Sequence, residues 1–244
     1  MIISAVGLGV GVLYGLFGVG SAFATPALSL IGVTGMSAIV GPLPAMLPGS
    51  AASAWTYARQ DRVDWWVAKR TLIGALPATI VGAALSPHIG SSALVIVSGV
   101  VLLGVGLRVL QPAAEHVGDG WAHDHAALLI AAATIVGFSS GLLANGGGFL
   151  LVPLFLLAVG LDMGMATGTS LVVATALTIP TLATHLVIGD LNWPVAGCFM
   201  LGMVPGSHAG AVLSNRLSSA RLRTAFGALL VIFAVWFLLR RLVG

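Results

Sequence analysis

The chain has 244 residues, 58% of them hydrophobic and only 7% charged, with a mean hydropathy of +1.09, which excludes an ordinary water-soluble domain and marks an integral membrane protein. Its formal net charge is +3, but the ten basic residues cluster mostly at the ends of apolar segments, so they read as topology determinants and not as a groove for nucleic acid. The single cysteine, Cys198, excludes an internal disulfide, and no Cys/His cluster has metal-ligand spacing, so no metal or other cofactor is expected.

Met1 runs straight into apolar sequence without a basic leader, so no cleavable signal peptide is expected. In chain order the apolar segments are 2–31, 36–57, 66–86 and 91–110, then 126–160, 165–188, 194–213 and 222–240. Segments 2–31 and 126–160 would each span about 45 Å or more as one helix, against a hydrocarbon core of about 30 Å. Each has to break. The stretches "GVGS" (Gly18, Val19, Gly20, Ser21) and "NGGG" (Asn145, Gly146, Gly147, Gly148) mark where.

The two sets of segments are homologous. Gly74, Pro77 and Gly82 match Gly202, Pro205 and Gly210 at a constant offset of 128, which also pairs Trp65 with Trp193 and Ser86 with Ser214. An offset of 127 pairs Pro26 with Pro153. The chain therefore reads as a first repeat, 1–110, a polar join, 111–125, and a second repeat, 126–244. Charge sets their relative orientation. The loop after the second segment holds Arg59 and Arg62, with Lys69 and Arg70 just beyond it, whereas its counterpart "IGDLNW" has only Asp190. The next loop reverses the bias: "SPHIGSS" has no cation, but "SNRLSSARLR" has Arg216, Arg221 and Arg223. By the positive-inside rule the expected fold is an all-α polytopic membrane protein of two inverted repeats. Each repeat is an interrupted segment, re-entrant or broken, followed by three transmembrane helices. Arg240 and Arg241 run against that rule, and a plain eight-helix reading stays open.

Non-helical backbone survives in a bilayer only where protein buries it or where it lines a polar cavity. Short helices beginning just after each break, near Ala22 and Phe149, would aim free N–H groups inward, which suits an anion. Glycine also lets helices pack closely, so packing is the competing reading of the same residues. Of the hydroxyls in "ATGTSLVVATALTIPTLATHL", most are expected to bond back to their own helix. Thr169 and Ser170, which follow Gly168, are the better candidates for substrate. All seven acids fall in loops or at edges, which argues against a cation substrate. His185 and His208 are the titratable groups placed within the membrane and are candidates for proton coupling.

Taken together, "GGGFLLVP", "MATGTSL", "HLVIGDLNW", "GMVPGSHAG" and the closing "RLRTAFGALLVIFAVWFLLR" resemble the TauE/SafE family, the sulfite exporter type of membrane permease. The resemblance covers nearly the whole chain, strongly in the second half and more loosely in the first. It implies a secondary transporter for a small sulfur-containing or organic anion, such as sulfite, sulfoacetate or another sulfonate, in a bacterial cytoplasmic membrane. The implied site is Asn145 to Gly148, Pro153, Thr169, Ser170 and His185. Here "GVGS" replaces the fuller glycine run at the first break. An anion channel is the main alternative, followed by an intramembrane enzyme or a structural membrane subunit. An enzyme is not expected, because there is no H-E-x-x-H, and Ser207 and His208 lie about 100° apart on a helix. The expected partners are the anion, the lipid bilayer and, compatibly with the sequence, further copies of the chain.

Overall fold

The structure, a computed structural model, describes residues 1–33, 36–85, 107, 109, 125–142, 148–189 and 191–243. Nearly all of the expected helix 91–110 and of the polar join 111–125 lies outside the described residues. Within them, every element is helical: α1 (Ile2–Phe17), α2 (Gly20–Leu30), α3 (Met36–Val40), α4 (Leu43–Ala58), α5 (Trp65–Leu85), α6 (Ala126–Leu142), α7 (Gly148–Leu154), α8 (Met163–Ile188), α9 (Trp193–Ser214) and α10 (Ser219–Val243). A single π-helical turn, Phe155–Val159, extends α7 and stops at Gly160 in the left-handed region (φ 81°). Helices α5, α8 and α9 are each long and apolar enough to cross a membrane. Ile73, Ile80, Ile135, Ile179 and Leu201 are exposed on α5, α6, α8 and α9, the side-chain chemistry of a surface facing hydrocarbon.

Segment 36–57, expected as one helix, is two. Proline explains the division. Pro42 disfavours helical backbone at Gly41 and supplies no N–H to the ladder. Helix α3 closes with Gly41 N donating to the Ser37 carbonyl at 3.1 Å, and α4 restarts with the N–H groups of Ala45 and Met46 on the Pro42 carbonyl, both at 3.0 Å.

Two pairs of helices interlock through glycine. Along α1, Gly7 faces Phe199 and Met203, Gly11 faces Met203 and Ser207, and Gly15 faces Ser207 and Ala211, so α1 runs parallel to α9. The reciprocal surface is Gly202, Gly206 and Gly210, set against Ser4, Leu8 and Val12. The same contact recurs between α5 and α6. Gly137 faces Ala75, Gly141 faces Thr79 and Ala83, Gly74 faces Ile130, and Gly82 faces Phe138. Ala75, Thr79 and Ala83 relate to Met203, Ser207 and Ala211 by the offset of 128 found between the sequence halves. In both seams the neighbour of the missing Cβ is backbone, an approach that only glycine permits. Thr79 Oγ1 adds a bond across the second seam, donating to the Gly137 carbonyl at 2.9 Å.

Helix starts are fixed by side chains that cap them. Asp64 Oδ1 accepts from Val67 N at 2.9 Å at the head of α5, and Asn192 Oδ1 accepts from Val195 N at 3.2 Å at the head of α9. Asp162 Oδ1 accepts from Gly164 N at 2.7 Å and Met165 N at 3.3 Å at the head of α8. Asp162→Ala is expected to cost about 1 kcal/mol of stability, read from thermal unfolding in detergent; an unchanged midpoint would show the cap to be dispensable.

The caps also register the ends of the bundle. At one end Asp64 N donates to Thr169 Oγ1 at 2.9 Å and Met163 N donates to Ser219 Oγ at 3.0 Å, gathering the α4–α5 loop with the starts of α8 and α10. At the far end of α8, Asn192 Nδ2 donates to Ser37 Oγ at 3.4 Å, which places the α8–α9 loop beside α3. The first of these ends carries Arg59, Arg62, Lys69, Arg70, Arg216, Arg221 and Arg223. Arg59 stacks on Trp55 at 4.8 Å and Arg70 on Trp66 at 5.2 Å, pairings suited to a membrane interface.

Candidate substrate site at the helix breaks

Helix α1 ends because Gly18 turns into the left-handed region, φ 72° and ψ 10°, with its N–H on the Tyr14 carbonyl at 2.8 Å. Tyr57 reaches across from α4, its hydroxyl donating to the Gly15 carbonyl at 3.0 Å, so one of the carbonyls left over at this terminus is satisfied. Val19 is the only residue between Gly18 and α2, which starts at Gly20. A Cβ on Gly20 would collide with the Tyr14 ring, lying 2.8 Å from Cγ, and the Tyr14 hydroxyl faces Ser50 of α4. Glycine at 18 and 20 is thus required by conformation at one position and by close approach at the other.

The break faces α7 and α8. The point that a Gly18 Cβ would occupy lies 3.0 Å from Val152 Cγ2, 3.2 Å from Ser170 Oγ and 3.6 Å from Thr167 Cγ2. Residues of the first half therefore meet both the short helix and the hydroxyl-rich helix of the second half at one buried point. Ser170 is 0% exposed and Thr167 1% exposed. Among the described residues neither hydroxyl has a hydrogen-bond partner, and the same holds for Ser140 Oγ on α6. Their neighbours behave differently. Thr175, Thr178, Thr181 and Thr184 each donate to the carbonyl four residues back, at 2.7 to 2.9 Å. A buried hydroxyl left without a partner costs about 1–3 kcal/mol, so the pair beside Gly18 stands out from the rest of α8.

The residues picked out by sequence divide as follows. Gly18, Gly20 and Ser170 come together at the break, while Ser21 opens the first turn of α2. Thr169 points the other way, its Oγ1 accepting from Asp64 N at the basic end. Gly148 begins α7, and Asn145, Gly146 and Gly147 lie outside the described residues. His185 is buried near the end of α8. His208 is exposed on α9, with Nδ1 3.1 Å from Thr56 Oγ1; because Thr56 donates to the Ala52 carbonyl, it accepts from His208 Nδ1–H. Ser207, next to it, is buried and donates to the Val204 carbonyl, so the two form no dyad. Sequence reasoning passed over Thr167, since one hydroxyl among seven on a helix carries no mark of whether it bonds backward. Among the described residues no group of three or more His, Cys, Asp or Glu side chains could hold a metal ion.

The arrangement is a buried, uncharged contact at a broken helix, with two hydroxyl-bearing residues of α8 against it and positive charge gathered at one end of the bundle. Comparison with known proteins fits it. Residues 3–237 match the sulfite exporter TauE/SafE family. The chain belongs to that family. A probable membrane transporter protein of Xylella fastidiosa (strain Temecula1) is 29% identical over 243 residues, covering 92% of this chain and 89% of the relative. The probable membrane transporter protein YunE of Bacillus subtilis is 24% identical over 184 residues, covering 68% and 66%. A probable membrane transporter protein of Methanocaldococcus jannaschii is 31% identical over 115 residues, covering 45% and 43%. No solved structure matches. Family membership and the apolar helices together make this TauE/SafE chain a multi-pass membrane protein of a transporter family.

Proposed function

We propose that this protein is a secondary transporter for a small sulfur oxyanion or organic sulfonate in the bacterial cytoplasmic membrane, with its substrate site at the helix breaks. The observation that carries this reading is the pair of buried residues Thr167 and Ser170 beside the left-handed Gly18, the Ser170 hydroxyl and the Thr167 methyl facing it, with neither hydroxyl partnered among the described residues. Each hydroxyl is a donor that a sulfonate or sulfite oxygen would accept. His185 and His208 stay candidates for proton coupling.

The proposed topology is a pair of inverted repeats whose first segments re-enter on opposite faces. Two helix packings support it. Parallel packing of α6 on α5 starts both helices at the basic end, to which α7 also returns before α8. Parallel packing of α1 on α9 starts both at the other end, where α3 and the head of α4 also lie. Seven named cations then share one face, as the positive-inside rule asks. Sites at the meeting of broken helices near the midplane are the design of many secondary carriers.

The test is thermal stabilisation of purified protein by sulfite, sulfate, sulfoacetate, acetate and chloride, because a ligand that binds only the folded state must raise its stability. Stabilisation by a sulfur oxyanion or sulfonate, reduced at least tenfold in apparent affinity by Gly18→Val, is the expected result. The bulkier side chain would press on Val152 and Ser170 and strain a backbone at φ 72°. A flat response across the panel from folded wild type would remove the reading.

A further inference from the structure

One cation at the basic end is not accounted for by structure. The α4–α5 loop crosses α8 at a notch made by Gly164 and Gly168: the Arg62 carbonyl lies against Gly168, and the Arg62 side chain runs past Gly164, with Cδ 3.3 Å and one guanidinium nitrogen 3.4 Å from the position a Cβ would take. The guanidinium also lies close enough to Tyr57 to act on its hydroxyl electrostatically. Arg62 is half-buried, yet no side-chain hydrogen bond or ion pair holds it among the described residues. Of the nearby carboxylates, Asp64 Oδ1 caps the head of α5 and Asp162 Oδ1, which also lies 3.2 Å from the position of a Gly164 Cβ, caps the head of α8. The other cations near the loop are stacked on tryptophan or, like Lys69, exposed.

Gly164 lies about one helical turn before Thr167, roughly 5 Å of rise along α8, so the guanidinium beside Gly164 stands on the basic-end side of Thr167 and Ser170. We propose that Arg62 is the anion-selecting residue of this protein, receiving the oxyanion at the basic end and passing it to Thr167 and Ser170. The proposal rests on the anion-transport reading above. A planar guanidinium with five donors fits two oxygens of a sulfonate or sulfite at once, which an unpaired ammonium or a neutral side chain does not. Its backbone is already anchored, Arg62 N on the Tyr57 carbonyl at 3.1 Å, so a change of side chain leaves the loop in place.

The experiment is sulfite and sulfoacetate flux in proteoliposomes of known protein orientation, with wild type, Arg62→Gln, Arg62→Lys and, as a control, exposed Arg221→Gln. Arg62→Gln is expected to raise the KM for anion presented at the basic end at least tenfold, with maximal rate changed less than twofold and the thermal midpoint retained. Arg62→Lys should recover part of that loss, and Arg221→Gln should match wild type. An unchanged KM in Arg62→Gln, or a fall in maximal rate alone, overturns the proposal while leaving anion transport standing. Wild-type vesicles that move no anion would remove the transport reading and this proposal with it.

Discussion

Gly15→Val is expected to destabilise the folded protein by about 3 kcal/mol or more, while Gly9→Ala, six residues earlier on the same helix, is expected to be neutral or stabilising by up to about 1 kcal/mol. A Cβ at position 15 would meet the Ser207 carbonyl oxygen, with Ala211 N at 2.6 Å and Ser207 C at 2.9 Å. All three are backbone atoms of α9, and none can rotate aside as the tip of a side chain would. The two helices would have to separate, and the bond from the Tyr57 hydroxyl to the Gly15 carbonyl would go with them. At Gly9 nothing lies within 4 Å, so an added methyl meets open space and the intrinsic preference of a helix for alanine decides. Thermal unfolding of both variants in one detergent separates a glycine needed for contact from one that is not. Equal midpoints would mean that the α1–α9 seam is not what holds α1.

The second large effect has opposite signs in stability and in function. The double variant Thr167→Val, Ser170→Ala is expected to raise stability by at least about 1 kcal/mol and to lower anion affinity at least tenfold. Both hydroxyls are buried without partners among the described residues, so each holds a desolvation penalty that an apolar replacement of similar shape removes. The same replacement deletes the donors that a bound oxyanion would use. Thr178→Val, which only removes a bond back to Ala174 at 2.7 Å, should change neither quantity by much. Thermal midpoints with and without sulfite, measured on all three proteins, give both quantities at once. A double variant that is less stable than wild type yet responds fully to sulfite would show these hydroxyls to be structural.

Much of this is legible in the sequence. The excess length of segment 2–31 required a break, and the break falls at Gly18 and Val19, inside the "GVGS" that marked it. Helices α8 and α9 begin within two residues of their expected starts, because Asp162 and Asn192 cap them. The division of segment 36–57 was missed, although Pro42 and Pro44 were in view, since prolines are common inside membrane helices and only the position of Gly41 tells a kink from a turn. Pairing of α1 with α9 and of α5 with α6 was not legible at all. The glycine spacing signals that some helix must come close, but it says nothing about which one.

The candidate site divides along the same line. Residue type and proximity in sequence picked Ser170 and Thr169 together, yet adjacent residues on a helix point about 100° apart, and one faces Gly18 while the other accepts from Asp64. Thr167 and Arg62 acquire meaning only from the crossing of the α4–α5 loop over Gly164 and Gly168, a contact between residues more than a hundred positions apart.

The most direct test of the account is flux of radiolabelled sulfite into proteoliposomes, compared between wild type and Ser170→Ala at matched insertion. Wild-type uptake that saturates with concentration, is inhibited by sulfoacetate and falls at least tenfold at low substrate in Ser170→Ala is the predicted result. Uptake at the level of protein-free vesicles, or uptake that Ser170→Ala leaves intact, would contradict it.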